Sequence, residues 1–541
     1  MPNYYSATAA KGVVNLMLEV AGSPGEQLLL AATPVIATIT GITAPTGSTG
    51  MRFHVKITNW TASGSVTITG TGTPNNTETY NIAAPTAQQT QSAQLASDEY
   101  VSTNAYTAIT NITTTGLTNG TITVYGIQAG KFAVPSIMKS QRKPKVYSPN
   151  EHNSFIERDK KILHLINETT IDELKQDIYG DLSLWWCYMM MGAPTTTASI
   201  PASPLSIVAS AAITGGTTTL TIAGQPTAPG MRLIVTTTAF TTAGTLTVLG
   251  TVNGITGVSE VINITATGTV YSSNVYSAIT SITNATTAAT LSVTGAYGWS
   301  LTFLSSANKY TAALEWYDGV GSWTHPFSLF TEGDFDIKVL TEATLTAKGV
   351  AQDKLPIGDR TVTPLSGTNR IASIGQNLND MPLVGWQTAV YMDDITGTPL
   401  TTTYADVQEL KVMLKQPDEH HYTFTNMQNF NRAYAGKREC TVDCTLNFID
   451  LLQWEKFRRN LKQYLAFQFL GQYIGTSAST NYYKSWTWTL PIRSEGVFDI
   501  SSDPSKALVH AKATWRTEYD STIGASYKLV VVTSLPPTYP N

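Results

Sequence analysis

The sequence predicts a mainly β protein in which two β-sandwich modules are attached to a duplicated β body with one flanking helix in each half. Three observations carry that expectation. The stretch STNAYTAITNIT (102–113) returns as SSNVYSAITSIT (272–283), identical at eight of twelve positions. Charge comes in blocks: 13% of residues are charged overall, yet between Pro201 and Asn308 only Arg232 and Glu260 are. The charged remainder also repeats, EGDFDI (332–337) returning as EGVFDI (495–500).

Residues 1–30 are assigned to the body, and 31–132 to the first sandwich. PTGSTGMRFHV (45–55) parallels PTAPGMRLIV (226–235), and ASGSVTITGTG (62–72) parallels TAGTLTVLGTV (242–252), which places the second sandwich at 195–306. Short runs alternate apolar residues with Thr and are punctuated by Gly, Pro, Asn and Ser, the pattern of an all-β sandwich of immunoglobulin-like size. A module with one carboxylate cannot perform paired acid–base catalysis. The N-x-T triplets at Asn111 and Asn284 are read as turns rather than glycosylation sites.

The body is expected from 133–194 with 307–350 as its first half and 351–541 as its second. ETTID (168–172) resembles ECTVD (439–443) at an offset of 271, against 163 for the EGxFDI pair. The difference, 108, matches a sandwich inserted into the first half. Each half reads strand–helix–strand. GDLSLWWCYMMMGAP (180–194) predicts a buried helix with Asp181 as N-cap and Gly192 as its stop. In the second half Cys440, Val442 and Cys444 alternate with Glu439, Thr441 and Asp443, a strand with one buried face. Asp450 then opens a helix with Gln453 in capping-box position, and Leu451, Trp454, Phe457 and Leu461 on its inward face. Trp454, Trp486 and Trp488 are the expected core anchors.

The three cysteines, Cys187, Cys440 and Cys444, read as core thiols. His420-His421 is taken as a solvated turn and Asp393-Asp394 as the start of a Gly/Pro turn, so no metal or cofactor site is expected. KSQRKPK (139–145) is either a DNA-phosphate contact or a basic arm docking on an acidic neighbour. The net charge of −4 does not fit a general nucleic-acid binder. The most apolar runs, such as 28–42, are too short and Thr-broken to span a bilayer, and no signal peptide is recognised, so synthesis in the cytoplasm is expected.

At YTAALEW…WTHPFSLFTEGDF (310–335) and from VQELKVML through GKRECTVDCTLNF to WTWTLPI and KATWRTEY (407–519), the chain resembles the tail tube proteins of long-tailed, non-contractile bacteriophages. The resemblance implies a sandwich or barrel with a flanking helix. It also implies sheets joined side by side into rings, and rings stacked into a tube that conducts DNA. Its implied partners are other copies of the chain, a tape measure protein and tail terminator and tip proteins, all within a virion assembled in the host cytoplasm. DNA passes without sequence-specific binding, and no catalysis is implied. Two halves per chain favour three chains per ring with pseudo-sixfold symmetry, with six as the alternative. Glu168, Asp172, Glu439 and Asp443 are then expected to face the lumen as an acidic wall, with polar strands turned to solvent or to a neighbouring ring as the alternative. A bacterial or phage surface adhesin or carbohydrate-binding β-sandwich protein is the competing class, and a sandwich glycosidase a third; the latter needs two facing carboxylates that cannot be placed.

Overall fold

The computed structural model describes residues 12–19, 26–35, 37–40, 42, 50–73, 75–85, 97–128, 132–142, 145–147, 163–166, 169–285, 287–305, 309–317, 322–358, 381–404, 406–421, 432–447, 451–477, 479–501 and 509–537. The protein is mainly β. In chain order, β1 (Gly12–Glu19) leads into a module of β2 (Glu26–Pro34) to β9 (Thr121–Gln128), and β10 (Phe132–Arg142) leaves it. The short β11 (Lys145–Tyr147) and β12 (Leu163–Ile166) precede β13 (Thr169–Asp177) and helix α1 (Leu184–Met191). Next, β14 (Thr196–Ile200) enters the second module, β15 (Leu205–Thr214) to β21 (Ala288–Ala296), and β22 (Gly298–Leu304) leaves it. Then come β23 (Thr311–Tyr317), β24 (Ser322–Lys338), β25 (Thr344–Ala351) and β26 (Leu355–Pro356). The second half holds β27 (Thr388–Asp394), β28 (Val407–Lys415), the hairpin β29 (Asp418–His421) and β30 (Arg432–Ala435), and β31 (Glu439–Asn447). Helix α2 (Leu452–Arg458), β32 (Gln463–Ser477), β33 (Thr480–Ser501), β34 (His510–Thr517) and β35 (Lys528–Thr533) complete it.

The two modules share one strand order. The first runs β2-β9-β4-β8-β5-β6, with β4 (Met51–Thr58), β5 (Gly64–Thr73), β6 (Thr77–Ile82) and β8 (Ala105–Thr115). The second runs β15-β21-β17-β20-β18-β19, with β17 (Met231–Thr242), β18 (Gly244–Val252), β19 (Ile255–Ile264) and β20 (Gly268–Ala285). Each encloses its own apolar core. Their sheets span Glu26–Gln128 and Leu205–Ala296; the strands on either side belong to the body.

The body repeats as a strand order as well. In the first half β23, β1, β10, β13, β25 and β24 pair successively, and β24 also pairs β23, so six strands close on themselves. In the second half β27-β32-β33-β34-β31-β28 pair in the matching order. The correspondence is β1/β27, β10/β28, β13/β31, α1/α2, β23/β32, β24/β33 and β25/β34, in the same order along the chain. Both modules therefore sit in connections, β1 to β10 and α1 to β23, whose second-half counterparts are only residues 395–406 and 459–462. The register of β13 against β25 does not carry over to β31 against β34: Ile171 opposes Gly349, whereas its counterpart Val442 opposes Trp515.

One core lies beneath both halves. All eight α1 residues are buried in it, so this helix is internal rather than flanking. Its N-cap is Ser183, not Asp181, and it stops at Gly192 in the left-handed region (φ 93°). Asp181 is drawn instead into a buried ion pair with Lys484 at 2.8 Å, and accepts hydrogen bonds from Thr533 Oγ1 and the Ser534 N–H. Trp486 and Trp488 are fully buried. Trp454 is not: α2 turns Gln453 inward, Trp454 is half-buried, and Leu451, Leu452 and Leu461 are exposed. Asp450 of the expected capping box lies outside the described residues.

Because Ile200 opposes Gly298 across the β14–β22 pair, the second module leaves and re-enters the body at adjacent residues. Replacing 201–297 by a two-residue Asn-Gly turn should leave a soluble body that unfolds cooperatively in thermal melts. Insoluble product would contradict the insertion.

His325 of β24 is fully buried, its Nε2 3.0 Å from Ser140 Oγ of β10. Burial, aided by Lys354, holds its pKa at about 3, below the ordinary 6.5. An unfolded chain takes up this proton near 6.5 and the folded chain only near 3, so this group's contribution to stability falls as pH drops through that window. Denaturant midpoints at pH 7 and pH 4.5 should lie closer together for His325→Gln than for the unaltered chain.

Candidate interaction surfaces

Strands β10-β13-β25-β24 and β28-β31-β34-β33 lie side by side, joined by β24–β28, and present one outward polar face opposite the shared core. Period-two alternation builds it: in β31 Cys440, Val442, Cys444 and Leu446 are buried while Glu439, Thr441 and Asp443 point outward. Asp172 occupies the matching position in β13 and is likewise turned outward. Glu168 lies outside the described residues. Leu174, which interrupts the polar pattern in the sequence, points inward because the pairings of β13 shift between Ile171 and Leu174, a bulge that leaves both Asp172 and Glu173 outside.

The carboxylates of this face do not form a bare acidic wall. Asp334 pairs with Lys411 at 2.9 Å, Lys338 with Glu409 at 3.4 Å, and Arg516 lies 3.5 Å from Glu439 and 3.4 Å from Glu495. Asp443 accepts a hydrogen bond from Thr514 Oγ1 at 2.8 Å. The Lys411 pKa is raised by its hydrogen bond to Asp334, with Asp336 and Asp443 adding to the effect. Cross-strand alternation of sign decided this, and a reading of β31 alone could not see the cations of β28 and β34 beside it.

The duplicated stretch of the modules has a mechanical role. Thr103 and Asn104 donate their backbone N–H groups to Glu78, as Ser273 and Asn274 do to Glu260. Ser102 Oγ accepts from Phe53 N and donates to Asn104 O, and Ser272 repeats this with Leu233 N and Asn274 O. The loop so fixed receives an arginine: Arg52 donates to Ser102 and Thr103 carbonyls, and Arg232 to those of Ser272 and Ser273. Each arginine then reaches the body. Arg52 makes a two-pronged pair with buried Glu315 of β23, its Nη2 at 2.9 Å from Oε2, while Arg232 Nε donates to Ser534 O at 3.2 Å. Burial alone would lower the Arg52 pKa, but Glu315, with Glu78 and Tyr80 adding to it, outweighs burial and the pKa is raised. Sequence reasoning missed these anchors; the matched Gly-Met-Arg triplets at 50–52 and 230–232 were the available signal.

Burial pushes the Cys440 thiol up to about 12 and raises Cys444 and Cys187 as well, so these are poor nucleophiles. Asp393 accepts the N–H groups of Thr401 and Thr402 and closes the turn after β27. His420 and His421 form part of strand β29, not a turn, and Lys139–Arg142 lie within β10 rather than on a free arm. Asn111 is a β8 residue, and Asn284 is a buried clasp bonded to the Gly216 and Thr287 carbonyls. Among the described residues no three His, Cys, Asp or Glu side chains gather as a metal site, and no helix is long and apolar enough to cross a membrane.

No family model matches the chain, and no curated protein does. Among solved structures, the chain is similar at 12% identity to the crystal structure of PBSX exported protein XepA, over 52% of this chain and 92% of that one. The TM-score is 0.14, a likeness too slight to carry an argument about fold or function.

Proposed function

We propose that this protein is the subunit of a phage tail tube, non-catalytic and built to polymerise as stacked rings. The observation that carries the reading is the pair of four-stranded units, β10-β13-β25-β24 and β28-β31-β34-β33, already set side by side within one chain. Three chains then supply six units, and closure leaves no open sheet edge for unwanted pairing. The outward polar face, with Asp172, Glu439 and Asp443, lines the channel. Lys338, Lys411 and Arg516 of that face are paired with carboxylates, so DNA phosphates meet cations already neutralised and slide past them. The two modules decorate the outside. Negative-stain microscopy of the purified protein should show rings or tubes with a central channel; particles that stay monomeric at every concentration would overturn the reading.

A further inference from the structure

The joint between the two units inside the chain spans seven residue pairs, from Glu332 opposite Lys415 to Lys338 opposite Glu409. On its outer side lie the ion pairs Asp334–Lys411 and Lys338–Glu409. On its inner side Phe335 and Ile337 are 0% and 5% exposed. Each unit thus has a last strand (β24 or β33) and a first strand (β28 or β10), and the structure shows one last-to-first joint made.

Among the described residues, no strand lies beside the other last strand or the other first strand where that joint would form. β33 pairs β32 only as far as Ile492, and among the described residues no strand covers that edge along Arg493–Ser501. β10 pairs β1 only over Phe132–Ser136, and among the described residues its edge away from β13 is uncovered along Ile137–Arg142. The open segment of β33 is the repeat itself, EGVFDI. Its Phe498 and Ile500 stand where Phe335 and Ile337 stand, yet Phe498 is only half-buried and Ile500 is 41% exposed. Exposed Leu451 and Leu452 start the adjoining helix α2, whose Phe457 ring lies 5.2 Å from Phe498. Core residues of one copy left exposed in the other mark a missing neighbour.

We propose that β33 of one subunit pairs antiparallel with β10 of the next, in the register of the internal β24–β28 joint. This rests on the ring reading above and names the surfaces that close it. The EGxFDI offset carries β24 onto β33. Val442 opposes Val412 as Ile171 opposes Ser140, which sets Ser140 in the place of Val412 and Lys139 in that of Lys411. Asp336 opposes Lys411 within the chain, so Asp499 opposes Lys139 of the partner subunit, and Phe498 opposes Ser140 of the partner subunit. Sidedness agrees: Asp499 and Lys139 are exposed on the polar face, while Met138 beside Lys139 is buried as Leu410 is beside Lys411. Lys139 also meets Glu173, so it is flanked by carboxylates from both strands once the joint forms.

The test is a cysteine pair. Directly opposed strand residues bring their Cβ atoms within about 4.5–5.5 Å, close enough for a disulfide after small adjustment. The full chain carrying Asp499→Cys and Lys139→Cys, mildly oxidised, should run on a denaturing non-reducing gel as covalent oligomers ending at a closed trimer. Each single variant should run as a monomer, the native cysteines being buried. Should the double variant fail to fold, the charge exchange decides: Asp499→Lys and Lys139→Asp should each weaken assembly and together restore it. Rings of normal mass without cross-linking, or without rescue, would overturn this joint and leave the tube reading standing. An unaltered chain that never forms rings would overturn both.

Discussion

Truncating Trp488 to alanine is expected to cost about 3–5 kcal/mol, a large share of the roughly 5–15 kcal/mol that holds a domain folded. Its side chain is fully buried, with ring centroids of Trp186, Phe335, Phe467 and Tyr527 5.6–6.4 Å away. Trp186 comes from α1 in the first half and Phe467 from β32 in the second, so the cavity would open where the halves share their core. Trp454→Ala is the control. That ring is half-buried, with the Arg458 guanidinium 5.5 Å from its centroid, a contact worth about 0.5–1 kcal/mol. Denaturant unfolding followed by tryptophan fluorescence should show the two losses differing several-fold; equal losses would place the core elsewhere.

Glu315→Ala should be comparably damaging for a different reason. Arg52 and Glu315 are 6% and 0% exposed, and removing one partner leaves a buried, uncompensated charge, which costs about 3–5 kcal/mol. Replacing both, as Arg52→Met with Glu315→Leu, removes the charge as well as its partner and should recover most of the loss. The first module should then remain seated through the apolar cluster of Val101, Ile127, Ala313, Leu355 and Ile357. If the double variant is as unstable as the single, the loss comes from the missing contact itself and not from an uncompensated buried charge.

How much of this was legible in the sequence depended on the range of each signal. The duplicated Ser-x-Asn-x-Tyr stretches and the EGxFDI pair announced two repeats because each motif is local and reads without knowing its neighbours. The alternation of Cys440, Val442 and Cys444 likewise gave the correct face of β31. Pairings across long intervals were out of reach. That β1 closes onto β10, making the first module an insertion too, depends on strands separated by that whole module. Asp181 follows the same logic: its position before a helix suggested a cap, but Lys484, some three hundred residues away, decided its fate. Trp454 misled because α2 is two turns long, and the step of about 100° from Gln453 to Trp454 is enough to carry the ring off the inward face. The pairing of Glu439 with Arg516 was equally hidden, because the cation comes from a neighbouring strand.

The mass of a single assembled ring, measured by native mass spectrometry, tests the duplication of the sheet unit most directly. Two sheet units per chain predict a closed ring of three chains, each of 58.3 kDa. A ring of six such chains would contradict the claim that one chain supplies two of the six units.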